Sequence, residues 1–98
     1  MGCEAVCEDG RLIISVSGRC SYEVWTEPKK LIMTGDQPIT ECEIDFSEAS
    51  FLDSSGIGSL LALREILGMD VKIVLLNTNA LVMEVLKVAN VDRMFEIP

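Results

Sequence analysis

The sequence predicts a single α/β domain with a mixed, mostly parallel β-sheet, an N-terminal antiparallel hairpin and about three helices packed on the sheet. Three observations predict this fold. The chain has 98 residues, a length that suits one domain over residues 1–98. An Asp9-Gly10 pair between apolar segments is a strong hairpin signal. Strand-like and helix-like segments then alternate in the order β-β-α-β-α-β-α, which implies parallel strands joined by right-handed crossovers.

The hairpin is predicted from the stretch "EAVCEDGRLIISVSG". In its second strand, Ile14 and Val16 alternate with serines, as expected for a strand with one solvated face. A helix follows from near Thr26 to near Thr34, because Pro28 is tolerated in a first helical turn and Gly35 would stop the helix. A longer helix from Tyr22, bent at Pro28, is the alternative.

The second half of the chain shows clearer periodicity. In "ECEIDF", Cys42, Ile44 and Phe46 alternate with acids, which predicts a strand. The segment "GIGSLLALREIL" is an amphipathic helix that Gly68 would end, and "DVKIVLL" is a short internal strand. The apolar residues that fit this pattern are Ile57, Leu60, Leu61, Leu63 or the neighbours of Arg64, and Leu67.

The last predicted helix lies in "NTNALVMEVLKVANVDRMF" and begins at an Asn or Thr cap. The final "MFEIP" could supply a short terminal strand. The helix carries one apolar stripe, formed by Leu81, Val82, Val85, Leu86 and Ala89.

Composition disfavours several classes of partner. The net charge is −8, from sixteen acids and eight bases, and the largest basic cluster is Lys29-Lys30. This field would repel nucleic acid and anionic membranes, and it would attract a protein with a basic face or simply keep the chain soluble. No apolar run approaches the roughly 18 residues that span a bilayer, and the N-terminus lacks the regions of a signal peptide. We expect a soluble, cytoplasmic protein without membrane insertion.

The four cysteines do not predict a metal site or a disulfide. Cys3, Cys7, Cys20 and Cys42 form no C-x-x-C pair, and the chain contains no histidine. Each lies in or beside an apolar run, so we expect small buried thiols in a reducing compartment, with no metal and no cofactor.

The central turn, "FLDSSGIGSLL", places an acid and two hydroxyls between apolar runs. The absence of histidine and of G-x-S-x-G excludes a Ser-His-Asp triad. Gly56 and Gly58 are not followed by the lysine of a phosphate-binding loop. These missing parts argue against an enzyme.

The same turn could instead offer a hydroxyl for modification. Ser54 would lie after a strand and before a helix, on the edge of the sheet where α/β folds place their sites. A phosphate there would meet unpaired amide groups and a favourable helix dipole. The simpler interpretation is that Asp53, Ser54 and Ser55 only cap the helix. The local sequence does not say which hydroxyl caps and which points outward, so Ser55 is the alternative phosphoacceptor.

Residues 44–61, "IDFSEASFLDSSGIGSLL", resemble the signature of STAS domains, specifically of bacterial anti-sigma factor antagonists. "GRLIISVSGRCS" resembles the second strand of the family and the turn after it. "KVANVDRMFEI" resembles the family's ending, although Asn90 stands in place of a glycine and Met94 in place of a leucine.

The resemblance implies a function and a set of roles. Ser54 would be the phosphoacceptor, Asp53 the neighbouring acid that orients the hydroxyl or kinase contacts, Ser55 the second hydroxyl and Gly56 the turn glycine. The unphosphorylated protein would bind an anti-sigma factor that is also its serine kinase, and so release a sigma factor. A serine phosphatase would reset the switch. ATP and magnesium would belong to the kinase.

One departure from the family concerns the partner surface. The family often has G-E-[LI]-D after the second strand, whereas this chain has Gly18-Arg19-Cys20-Ser21 and a longer loop before Pro28. Alternative functions are therefore a non-switching scaffold of a stressosome-like or transporter-associated complex, and a small-ligand sensor. The predicted partner-binding residues are Arg19, Ser21, Tyr22, Trp25, Asp53, Ser54, Ser55, Gly56, Ile57 and Gly58.

Overall fold

A computed structural model describes residues 2–20, 30, 32–33 and 38–98. Lys30, Ile32 and Met33 are helical, and the rest of the helix predicted near 26–34 lies outside the described residues. The elements in chain order are β1 (Gly2–Glu8), β2 (Arg11–Cys20), β3 (Glu41–Leu52), α1 (Ser54–Leu67), β4 (Lys72–Leu76), α2 (Ala80–Val88) and a 3₁₀ helix (Asp92–Met94).

The sheet has the order β1-β2-β3-β4, with β1 and β2 antiparallel and the other pairs parallel. The predicted mixed, mostly parallel sheet is confirmed. Asp9 and Gly10 both have positive φ, 50° and 81°, which is the conformation that an Asp-Gly hairpin turn requires. A Cβ atom at Gly10 would lie 3.1 Å from the Pro38 carbonyl oxygen, so a side chain there would also crowd the backbone that leads into β3.

Strand β3 continues to Leu52, well beyond the predicted 41–46. Two register shifts against β2 change which of its later residues face the core. Ser15 of β2 pairs with Asp45 but Ser17 pairs with Glu48, and Gly18 pairs with Ala49 but Arg19 pairs with Phe51. Strand β3 therefore has one extra residue at each of two register shifts. The Ser47 amide donates to the Asp45 carboxylate at 2.9 Å. The pKa of Asp45 is lowered by a hydrogen bond from the Asn77 side chain and by this bond from Ser47. The buried residues of β3 are accordingly Cys42, Ile44, Phe46, Ala49 and Leu52.

The helices cover the sheet through narrow stripes. In α2, Val82 and Leu86 are fully buried. The predicted helix is confirmed, but its apolar stripe is only partly covered, since Leu81 is 56% exposed and Ala89 is exposed. This nine-residue helix contacts the core through one fully buried i, i+4 pair, and Met83 and Val85 pack beside that pair while remaining partly exposed.

The C-terminal end of α1 is held by Arg64, a cation whose burial the sequence pattern does not predict. Its guanidinium donates to the Val71 carbonyl at 2.8 Å and to the Gly68 carbonyl at 3.1 Å. These bonds satisfy carbonyl groups where the helix dipole is negative and link α1 to the start of β4. The helix ends at Gly68, as predicted, with φ of 89°.

The C-terminal segment joins the edge of the sheet. The Glu96 amide donates to the Ile73 carbonyl, and the Leu75 amide donates to the Glu96 carbonyl, both at 2.8 Å. The predicted terminal strand is thus reduced to one parallel bridge between Val74 and Glu96.

The cysteines differ in environment. Cys42 is buried, and burial raises the pKa of its thiol to about 12. Cys3 is half-buried. Cys7 is exposed at the end of the edge strand β1, so the expectation of a buried thiol is wrong for this residue. The Cys20 side chain lies outside the described residues. Among residues 2–20, 30, 32–33 and 38–98, no group of three potential ligands could hold a metal ion, and no helix has the length and apolarity to span a membrane.

Candidate functional site at the start of helix α1

Helix α1 begins directly after β3, and Asp53 forms the junction. Asp53 has an extended backbone, with φ of −97° and ψ of 177°, and its carboxylate accepts the Gly56 amide at 2.8 Å. Its carbonyl accepts the Ile57 amide at 3.1 Å as the first helical bond. Asp53 is therefore the helix cap, a role that the sequence left open among three residues.

The two serines have different environments. The Ser55 hydroxyl donates to the Asp53 carboxylate at 2.7 Å and so takes part in the cap. Ser54 is exposed on the first turn. In the described part of the chain no hydrogen bond engages the Ser54 hydroxyl. The structure thus distinguishes an engaged hydroxyl from an available one.

The electrostatic setting of Ser54 suits an anion. The first amide groups of a helix lack intrahelical acceptors and carry partial positive charge. Asp53 satisfies one of them, the Gly56 amide. A phosphate on Ser54 would lie beside this helix end without entering the core.

The remaining predicted site residues divide between described and undescribed parts. Gly56 is buried, Ile57 is half-buried, and Gly58 is exposed with no atom within 4 Å of an added Cβ. Arg19 pairs with Phe51 in the sheet, near the end of β3, and its side chain lies outside the described residues. The predicted contacts of Ser21, Tyr22 and Trp25 also lie outside the described residues.

Helix α2 lies beside this site, a proximity that the local sequence pattern does not predict. Its cap, Asn79, accepts the Val82 amide at 2.9 Å and donates to the Ala49 carbonyl of β3 at 2.9 Å. This bond ties the start of α2 to the bulged part of the strand that leads to Asp53. The sequence gives one hint of a second contact surface. The apolar stripe of α2 contains more residues than a single contact with the sheet would cover.

A groove of about 290 Å³ separates the first turn of α1 from α2. Most of its surface is apolar, and among the described residues that line it only Glu84 is charged. We call it the α1–α2 groove, and it is lined by Ser54, Ile57, Glu84, Val85, Val88 and Ala89.

Removing the cap should cost stability. We expect Asp53→Ala to lower the free energy of unfolding by about 1 kcal/mol, because the Gly56 amide would lose its acceptor. Asp53→Asn should lose much less, since an asparagine oxygen can also cap. Urea unfolding of the two variants measures the difference. Equal losses would show that the carboxylate charge, and not the cap, provides the stability.

Comparisons with known proteins agree with this fold. The family model of the STAS domain matches residues 4–98. A search of curated proteins found no significant match. Three similar solved structures illustrate the fold. The phosphorylated form of the Bacillus cell fate determinant SpoIIAA is 18% identical, with a TM-score of 0.70 over 99% of this chain and 91% of that chain.

The other two come from different settings. An anti-sigma factor antagonist from Mycobacterium paratuberculosis is 22% identical, with a TM-score of 0.72 over 97% of this chain and 82% of that one. A sulfate transporter family protein from Wolinella succinogenes is 13% identical, with a TM-score of 0.75 over 90% of this chain and 73% of that one. At these identities the structures establish a shared fold. Because the family model spans nearly all of the sequence, the chain belongs to the STAS domain family.

Proposed function

We propose that this protein is an anti-sigma factor antagonist whose binding is switched by phosphorylation of Ser54. The unphosphorylated form binds an anti-sigma factor that is also a serine kinase, and this binding releases a sigma factor. The observation that carries the proposal is the exposed Ser54 hydroxyl on the first turn of α1, beside the Asp53–Ser55 cap.

The cap geometry favours Ser54 over Ser55 as the phosphoacceptor. The Ser55 hydroxyl already donates to Asp53, so its phosphorylation would break a bond of the cap and bring a phosphate against a carboxylate. Ser54 can accept a phosphate while Asp53 still holds the Gly56 amide. The modification would therefore leave the fold intact and act on a docked partner.

The comparisons and the charge support the same function. SpoIIAA exists in a phosphorylated form, and the Mycobacterium paratuberculosis protein is an anti-sigma factor antagonist. The net charge of −8 would speed encounter with a basic face on a partner. The proposed partner surface is Asp53–Gly58 together with the loop from Arg19 to Trp25. The protein itself is a non-enzymatic, cytoplasmic module of one domain, without a cofactor. The kinase supplies ATP and magnesium, and a serine phosphatase removes the phosphate.

The test uses protein from its native cell. Mass spectrometry should find phosphate on Ser54 in at least one growth condition. Affinity capture with the Ser54→Ala form should retain an anti-sigma factor with kinase activity, which can then be identified and purified. Release of a sigma factor from that purified protein completes the assignment.

The second candidate is a permanent scaffold, which the structural similarity to a sulfate transporter family protein favours. In that role the Asp53–Ser55 pair is only a helix cap. Repeated absence of phosphate from both Ser54 and Ser55 across growth conditions would support the scaffold and contradict the switch.

A further inference from the structure

The α1–α2 groove continues onto an exposed apolar face of α2. Val88 is 81% exposed and Leu81 is 56% exposed, and Val85 between them is half-buried. Their spacing, i, i+4 and i+7, places all three on one side of the helix. An apolar face of this kind, next to a polar site, is typical of a protein-binding surface.

The charge in the groove indicates what kind of partner would cover it. Glu84 lines the groove, and none of the described cations forms an ion pair with it. A second copy of this chain would face the groove with its own Glu84 in a two-fold contact and would carry the same net charge of −8. Both features oppose self-association. A partner with an apolar side chain next to a lysine or arginine can fill the apolar groove and form an ion pair with the Glu84 carboxylate at the same time.

We propose that the α1–α2 groove receives an apolar anchor residue of the partner protein, with a neighbouring basic residue of the partner paired to Glu84. This inference rests on the proposed function. It adds a binding surface on α2 to the phosphorylation site and explains how the two are coupled.

The coupling follows from the position of Ser54 in the wall of the groove. A phosphate on Ser54 would occupy part of a space of about 290 Å³ that the anchor must fill. The anchor would also have to strip water from a group of charge about −1.5 to −2, which is costly without new partners. Phosphate and anchor therefore exclude each other.

The experiment uses the purified partner that the Ser54→Ala form retains. Val88→Glu should weaken its binding about tenfold or more, as expected for a central apolar contact. Glu84→Lys should weaken binding mainly by lowering the association rate, and high salt should reduce the effect. Met69→Glu is the matched control, because Met69 is 77% exposed in the turn after α1 and lies outside the groove. It should change affinity less than about twofold.

A double-mutant cycle tests the coupling. The loss caused by Ser54→Asp should shrink in the Val88→Glu background and stay complete in the Met69→Glu background, because only Val88 shares the contact. Circular dichroism of each variant checks that the fold is retained.

Each outcome decides between the two proposals. If no purified partner distinguishes Ser54→Ala from Ser54→Asp, the proposed function fails and this inference fails with it. If a partner does distinguish them but binds Val88→Glu as it binds the unmodified chain, only the groove inference is overturned. Concentration-dependent dimers that Val88→Glu abolishes would show that a second copy covers the groove, and would also overturn it.

Discussion

Ser54→Asp should bind the anti-sigma partner about a hundredfold more weakly than Ser54→Ala, a difference that requires about 2.8 kcal/mol. The partner's apolar anchor would have to strip water from the new carboxylate, and an unpaired charge taken out of water can cost more than this. Exclusion of the partner from the space beside Ser54 would act in the same direction. Isothermal titration calorimetry with the purified partner measures both affinities.

The loss should not come from unfolding. A negative charge on the first turn of a helix is favourable, so Ser54→Asp should melt at or slightly above the temperature of the unmodified protein. Ser50→Asp is the matched control, since Ser50 is exposed on β3 four residues before Ser54. It adds the same charge and should retain most of the affinity. Equal affinities of Ser54→Asp and Ser54→Ala would remove the switch.

The second large effect concerns the core beneath the site. Phe46 is fully buried immediately before the bulge of β3. We expect Phe46→Ala to lower the free energy of unfolding by about 3–5 kcal/mol, through lost burial and the cavity left behind. This is a large part of the 5–15 kcal/mol that typically stabilises a domain, so the variant should be only marginally folded.

The control for Phe46→Ala lies on the same strand. Phe51 is 40% exposed, so Phe51→Ala should cost clearly less, about 1 kcal/mol. Urea unfolding monitored by circular dichroism gives both values. A larger loss for Phe51→Ala than for Phe46→Ala would show that Phe51, and not Phe46, faces the core, which contradicts the register described for β3.

The parts of the fold that depend only on residues adjacent in the sequence could be predicted from it. The Asp9-Gly10 turn is one example, because few residue pairs adopt two successive positive φ angles. The end of α1 at Gly68 is another. The two register shifts in β3 could not be predicted, because residues 46–51 are as compatible with regular pairing as with a bulge. Register with β2 decides between them.

The candidate site shows the same division. The sequence placed Asp53, Ser54 and Ser55 between a strand and a helix, and it left open which residue caps. The structure gives the cap to Asp53 and engages Ser55 with it. The hydrogen bonds of Asp53 and Ser55 depend on the direction in which the backbone leaves β3. The pattern of neighbouring residues in the sequence does not specify that direction.

By itself, the sequence determined the element order, the mixed sheet, the hairpin and the position of a polar turn before a helix, because periodicity and turn chemistry act over a few residues. The tertiary structure alone decided that the Ser54 hydroxyl is the available one, that Arg64 is buried at the end of α1, and that α2 lies beside Ser54 with Val88 exposed. Those features arise from contacts between segments distant in the chain. A sequence shows which face of an element is apolar, but packing decides which part of that face is covered and which remains for a partner.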